Sequence, residues 1–173
     1  MAKGQAEAIV PMIDALLAKH ALHYRDLAGI GVGVGPGNFT GVRISVALAR
    51  GLALGLGIPA IGVTAFEATA VIANAKTAVW AVVNAPRGQF YAQRFDDPKG
   101  SLRGIAQICD ADDLATFDAD IIRSADQTAD RLVAAIGQIG LGKLGSPHRR
   151  PTPFYLRGAD AAPSSDPPPV ILP

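Results

Sequence analysis

Apolar residues first fall on a helical repeat. Ala6, Ile9, Val10, Ile13, Leu16 and Leu17 recur at helical spacing and predict a helix ending near Lys19. Pro11 inside that stretch either kinks the helix or marks its true first turn. After the short connection "RDLAG" the period changes to two: Ile30, Val32 and Val34 alternate with Gly29, Gly31 and Gly33. That is a strand with one aliphatic face and one bare face, and bare faces occur where another element approaches closely. "GPGNFTG" is a loop, with Asn38 and Thr40 both candidate caps for a helix from about Gly41 to Leu56. "GIPAIGV" reads as a second strand. "TAFE", Thr64 to Glu67, has capping-box spacing and opens a third helix through about Ala73.

The pattern changes after Lys76. "AVWAVVNA" is a buried-type strand, "PRG" a turn and "QFYAQRF" an alternating strand. "DDPKG" is another turn, Leu114 to Phe117 a helical turn, "ADIIRSA" a short strand, and Thr128 caps a helix reaching about Gln138. From Gly140 onward Gly, Pro, Ser and Asp dominate. The expected order is an N-terminal lobe over 1–75, a C-terminal lobe over 76–160 and a flexible tail over 161–173, in an α/β architecture. No internal repeat is present.

Composition narrows the class. A hydrophobic content of 49% in 173 residues supports a packed core. A net charge of +1 predicts no strong overall attraction to nucleic acid, although a local basic patch remains possible. Cys109 is the single cysteine, which excludes an intramolecular disulfide and a Cys-rich zinc site. No apolar run reaches the roughly 18 residues of a membrane span, and the N-terminus lacks the regions of a signal peptide. These features point to a soluble cytoplasmic protein.

The glycine-rich stretch has two physical readings. A strand, glycine loop and helix can present backbone N–H groups to a phosphate. A Walker loop would need a lysine after Gly41, however, and a dinucleotide fingerprint would need glycine at Asn38 and a later acidic residue near Leu56 to Pro59. The alternative is close approach of another backbone. On the helix, Gly41, Ser45, Ala49 and Ala53 form one stripe of small residues, and Ala47, Gly51 and Gly55 a second. Arg43 and Arg50 make it a water-facing helix. With two stripes and one sheet, one stripe should pack inward and the other meet a partner helix.

The segment "GVGVGPGNFTGVRISVALARGLALGLGIPAIGVTAFEA" closely resembles the signature of the TsaB family, formerly YeaZ. "PFYLRGADA" is similar to that family's closing segment, and "VNAPRGQFYAQRF" matches a third segment in part, with Asn84, Pro86 and Gln89 departing from the family pattern. Asn38 stands where the family usually has serine. The resemblance implies an actin-like, ribonuclease H-like two-lobe fold. It implies a non-catalytic subunit of the tRNA N6-threonylcarbamoyladenosine machinery that pairs with the catalytic homologue TsaD through N-lobe helices, and with the ATPase TsaE. ATP and metal would be used by the complex and not bound by this subunit alone, tRNA would be met through the complex, and a homodimer could form in isolation. The expected glycine-loop residues are Gly35, Gly37, Asn38, Phe39, Thr40, Gly41 and Arg43. The expected partner interface is Ala47, Arg50, Gly51, Leu54 and Gly55. The family opens with a strand and a hairpin pair that have no counterpart before "MAKGQAEAIVPMID", so Met1 reads as internal to a longer protein and the N-lobe sheet as truncated, with a bare strand edge.

The remaining candidates are weak as chemistry. The catalytic homologue holds a metal through His-x-x-x-His on its first helix. Here those positions are Gln5 and Ile9, which ligate a metal poorly. His20, His23 and His148 share no ligand spacing. Asp110, Asp112 and Asp113 are explained by helix capping, Ser45 lacks a nucleophile elbow, and Cys109 lacks an activating neighbour. No catalytic or metal-binding residue is expected. The competing classes are a glycoprotease-like peptidase and an independent nucleotide-binding protein.

Overall fold

A computed structural model describes residues 4–74, 76–97 and 103–157. The expected tail over 161–173 and the boundary residue Ala75 lie outside them. The elements are α1 (Gln5–Lys19), β1 (Ile30–Gly35), α2 (Phe39–Leu56), β2 (Ala60–Thr64), α3 (Ala65–Ala73), β3 (Val79–Asn84), β4 (Phe90–Phe95), β5 (Gln107–Cys109), α4 (Ala111–Leu114), β6 (Asp120–Arg123) and α5 (Ala129–Lys143). They form two sheets. β1 and β2 pair in parallel, with Val32 opposite Gly62 and Gly33 opposite Val63. The second sheet runs β5-β4-β3-β6, antiparallel at β3–β4 and β4–β5 and parallel at β3–β6. Among the described residues the first sheet contains β1 and β2 alone.

The alternation in β1 sets the layers. Val32 and Val34 bury themselves against Val46 and Ala49 of α2. The bare face takes α5: a Cβ on Gly31 would lie 3.1 Å from the Ile136 carbonyl oxygen, and one on Gly140 would lie 3.3 Å from Gly31 Cα. Strand and helix backbones therefore meet with no side chain between them. α3 packs on both α5 and β3. Its Phe66 and Ala70 join Val79, Ala81, Val83, Tyr91 and Phe95 in the main core. Val82, Ala92, Cys109 and Leu114 form a second core on the opposite face of the larger sheet. α3 and α5 thus stand between the two sheets.

Several boundaries differ from the sequence expectation. α2 starts at Phe39, before Gly41, because Asn38 rather than Thr40 caps it, accepting from Gly41 N at 2.8 Å. Pro11 lies inside α1, beyond its first turn. α5 continues to Lys143, past Gln138, and Gly140 in that extension is buried against β1. Packing overrides the weak helix propensity of glycine there. α4 begins at Ala111, earlier than the expected turn at Leu114, because Asp110 caps it. β5 was not anticipated: its three residues carry no readable alternation. α2 is also, by length and composition, long and apolar enough to cross a membrane, with a mean hydropathy of 1.4 over 18 residues. No run had been expected to qualify. Its leucines, valines, Ile44 and Phe39 carry the average past Arg43 and Arg50, yet one face of the helix packs on β1.

Candidate functional site

The glycine loop connects β1 to α2 and is closed by the chain itself. Gly35 has φ +98°, a left-handed value suited to glycine, and a Cβ there would lie 3.1 Å from the Phe154 carbonyl oxygen. Phe154 N donates to the Val34 carbonyl at 2.8 Å. Arg43, one turn into α2, places its guanidinium carbon 3.7 Å from the centre of the Phe39 ring and donates from Nε to Tyr155 Oη at 2.9 Å. The Phe39 and Tyr155 rings lie 4.9 Å apart, and both side chains are partly exposed. Gly37, Thr40 and Gly41 complete the exposed turn, with Gly41 half-buried. The loop is occupied by Phe154 and braced by Asn38, so its geometry is accounted for without a phosphate.

Phe154 and Tyr155 belong to the closing segment of the sequence resemblance. Two residues on, Arg157 donates to Gln89 Oε1, in the third segment. The three stretches that carry the resemblance are far apart in sequence and meet in space. Periodicity holds no signal for such a meeting.

The two stripes on α2 separate. Ala49 and Ala53 are buried, and Ser45 is half-buried with its hydroxyl donating to the Val42 carbonyl at 3.1 Å. Ala47, Arg50, Gly51, Leu54 and Gly55 all face outward. Leu54 is 80% exposed, and a Cβ added at Gly51 or Gly55 would meet nothing within 4 Å. α1 packs beside α2 and leaves Val10, Met12 and Leu16 exposed as well. The result is a face of small and apolar groups on two helices.

The other candidates have structural roles. Asp110 Oδ1 accepts from the backbone of Asp112 and Asp113, and Asp113 Oδ2 accepts from Asp110 N at 3.0 Å, completing a capping box. Cys109 is buried, and burial, followed by Asp113 and Asp110, pushes its thiol above the ordinary value. Among the described residues no His, Cys, Asp and Glu side chains group as a metal site. His148 Nδ1 lies 2.9 Å from the Ser146 carbonyl oxygen.

Glu67 does more than its capping box suggests. Its Oε2 accepts from Thr64 N at 2.8 Å and Thr64 Oγ1 at 3.0 Å, while Oε1 accepts from Arg103 at 2.8 Å and Lys143 at 3.0 Å. Burial alone would raise its pKa; the Thr64 backbone, Lys143 and Arg103 outweigh that and hold the carboxyl below its ordinary value. One carboxylate therefore ties α3, the end of α5 and the segment at Arg103 together. Only the Thr64 spacing was readable in sequence.

Two sheets with helices between them, and a glycine loop leading into a helix with an open small-residue face, make an α/β architecture consistent with the actin-like, ribonuclease H-like class. A family model described as "TsaD: tRNA N6-adenosine threonylcarbamoyltransferase" matches residues 1–117, and the chain belongs to that family. Among solved structures, YeaZ from Pseudomonas aeruginosa has the same fold, with a TM-score of 0.68 and 24% identity over 87% of this chain and 84% of that one. A second Pseudomonas aeruginosa structure, described as an uncharacterized protein with similarity to peptidase YEAZ, gives a TM-score of 0.64 and 23% identity over 87% and 83%. No curated protein matches the chain.

Proposed function

We propose that this chain is the non-catalytic pairing subunit of the tRNA N6-threonylcarbamoyladenosine machinery. It docks on a TsaD-type catalytic subunit through α1 and α2, in the cytoplasm. A TsaE-type ATPase joins the complex, which uses ATP and metal and takes tRNA as substrate. The observation that carries this reading is the outward stripe of α2. A glycine inside a helix costs about 1 kcal/mol relative to alanine. Gly51 and Gly55 incur that cost with no neighbour among the described residues to justify it. A second helix backbone laid along the stripe would justify it, with Leu54, Met12 and Leu16 supplying apolar area around the contact. Without the partner the same face would pair two copies of this chain.

The position of Ile9 on α1 supports the non-catalytic part, since an aliphatic side chain stands where a catalytic relative would ligate metal. The test mixes purified chain with a TsaD-type protein and follows mass by light scattering, then assays tRNA modification with and without partner and ATPase. A heterodimer, and modification only in the full mixture, is the expected result. Modification by this chain alone, or no complex with the partner, overturns the reading.

A further inference from the structure

The segment from Pro147 to Pro153 separates two open grooves. The first, about 440 Å³, is lined by Arg50, Gly51, Leu54, Gly57, His148 and Arg150 among others, so its α2 wall is the rim of the proposed partner face and lies open in the unpaired chain. The second, about 470 Å³, includes Arg103, Lys143, His148, Arg149 and Arg150 in its wall. Among the described residues no acidic side chain lines either groove. Arg103 and Lys143 are held by Glu67, but among the described residues Arg50, Arg149 and Arg150 make no hydrogen bond or ion pair. In a chain of net charge +1 this is a concentrated positive field around two neighbouring depressions. It is also anchored. Pro151 is buried and packs on β2: a Cβ on Gly62 would lie 3.5 Å from its Cα, an ordinary contact, while Val34 Cγ1, at 2.9 Å, is what requires glycine there. Proline at 147, 151 and 153 restricts its backbone.

We propose that these twin grooves bind the phosphodiester backbone of structured RNA, through Arg50, Arg149 and Arg150. The cations are spread along a segment rather than converged on one point, which suits a chain of phosphates better than a single one. Among the described residues the aromatic rings lining them are Phe154, which packs inside the cores, and His148, whose Nδ1 lies 2.9 Å from the Ser146 carbonyl oxygen. Arginines outnumber exposed rings in these walls, so contact is chiefly with backbone and independent of sequence. The choice of RNA over another polyanion rests on the function proposed above.

The test is fluorescence anisotropy with the full chain, an unmodified tRNA transcript and an unrelated RNA hairpin, over a salt series. Both RNAs should bind, with affinity falling linearly on a log–log salt plot. Arg149→Gln with Arg150→Gln should weaken binding roughly tenfold at low salt and flatten the slope by about 1 per arginine removed. Arg50→Gln should flatten it further. Arg25→Gln, at an exposed site outside both grooves, should change nothing. The proposal is overturned by three results: no RNA binding by the unaltered chain, an unchanged slope in the double variant, or poly-glutamate bound in preference to RNA. Association of the double variant with a TsaD-type protein is measured in parallel. Intact pairing with unchanged RNA binding overturns the grooves alone; lost RNA binding in a chain that never pairs overturns only the subunit reading.

Discussion

At Gly31 an added Cβ would sit 3.1 Å from a carbonyl oxygen of α5; at Gly51 it would meet nothing within 4 Å. Both glycines belong to one glycine-rich stretch and both lie in regular elements. The first is required by the protein's own core, where strand and helix backbones touch. The second serves nothing inside the described chain and, in a helix, costs stability. The same residue type therefore reports on folding in β1 and on association in α2.

The largest expected effect tests the half of this contrast in which two backbones meet. Gly31→Val forces side-chain atoms against the Ile136 backbone, and helix backbone yields less readily than a side-chain end. Overpacking costs about 1–3 kcal/mol, and the upper end is expected here, read as a lowered urea midpoint. Gly33→Ala sharpens the point. Its Cβ would meet only Ile136 Cδ1, at 3.3 Å, a flexible tip, so the loss should be much smaller. Equal losses at the two positions would mean that β1 and α5 adjust as a unit and that no backbone contact is being protected.

The second effect concerns what holds α5 in place. Lys143, at the end of α5, reaches Glu67 on α3, and Arg103 binds the same oxygen. A hydrogen-bonded charged group of this kind contributes about 2 kcal/mol. Because the Glu67 carboxyl is held below its ordinary value of 4.5, its contribution is fully present above that value and is lost as pH falls through the lowered one. Glu67→Gln should therefore lower stability at neutral pH and reduce the acid-induced loss. Urea midpoints of both proteins at neutral and acid pH check this. Identical acid sensitivity would place the destabilising protonation elsewhere.

Much of this was readable in the chain. The alternation of valine and glycine foretold β1 and its close neighbour, and Thr64–Glu67 foretold the start of α3. The identity of that neighbour was not readable, because α5 comes a hundred residues later and its glycines resemble helix breakers until Gly140 is seen against Gly31. Nor could spacing say which stripe of α2 faces inward. Both repeat every four residues, and the choice is made by the valines of β1. The "HRR" of the grooves lay in a stretch marked only by Gly, Pro and Ser; its importance depends on Arg50 from a different element.

The smallest effect has the opposite sign and tests the open half of the contrast. Gly51→Ala places a methyl group in empty space on an exposed helix and should stabilise the isolated chain by about 0.5–1 kcal/mol. If α2 receives a partner helix along Ala47, Gly51 and Gly55, the same methyl should weaken that association, and Gly51→Leu should weaken it far more while leaving the monomer folded. Two readouts are needed: the thermal midpoint of dilute chain, and the affinity for a TsaD-type protein or for a second copy. A higher midpoint with weaker pairing is the expected outcome. A higher midpoint with unchanged pairing would show that the stripe is not where the partner lies. A lower midpoint would mean that Gly51 is enclosed by this chain's own residues, placing it in the same class as Gly31.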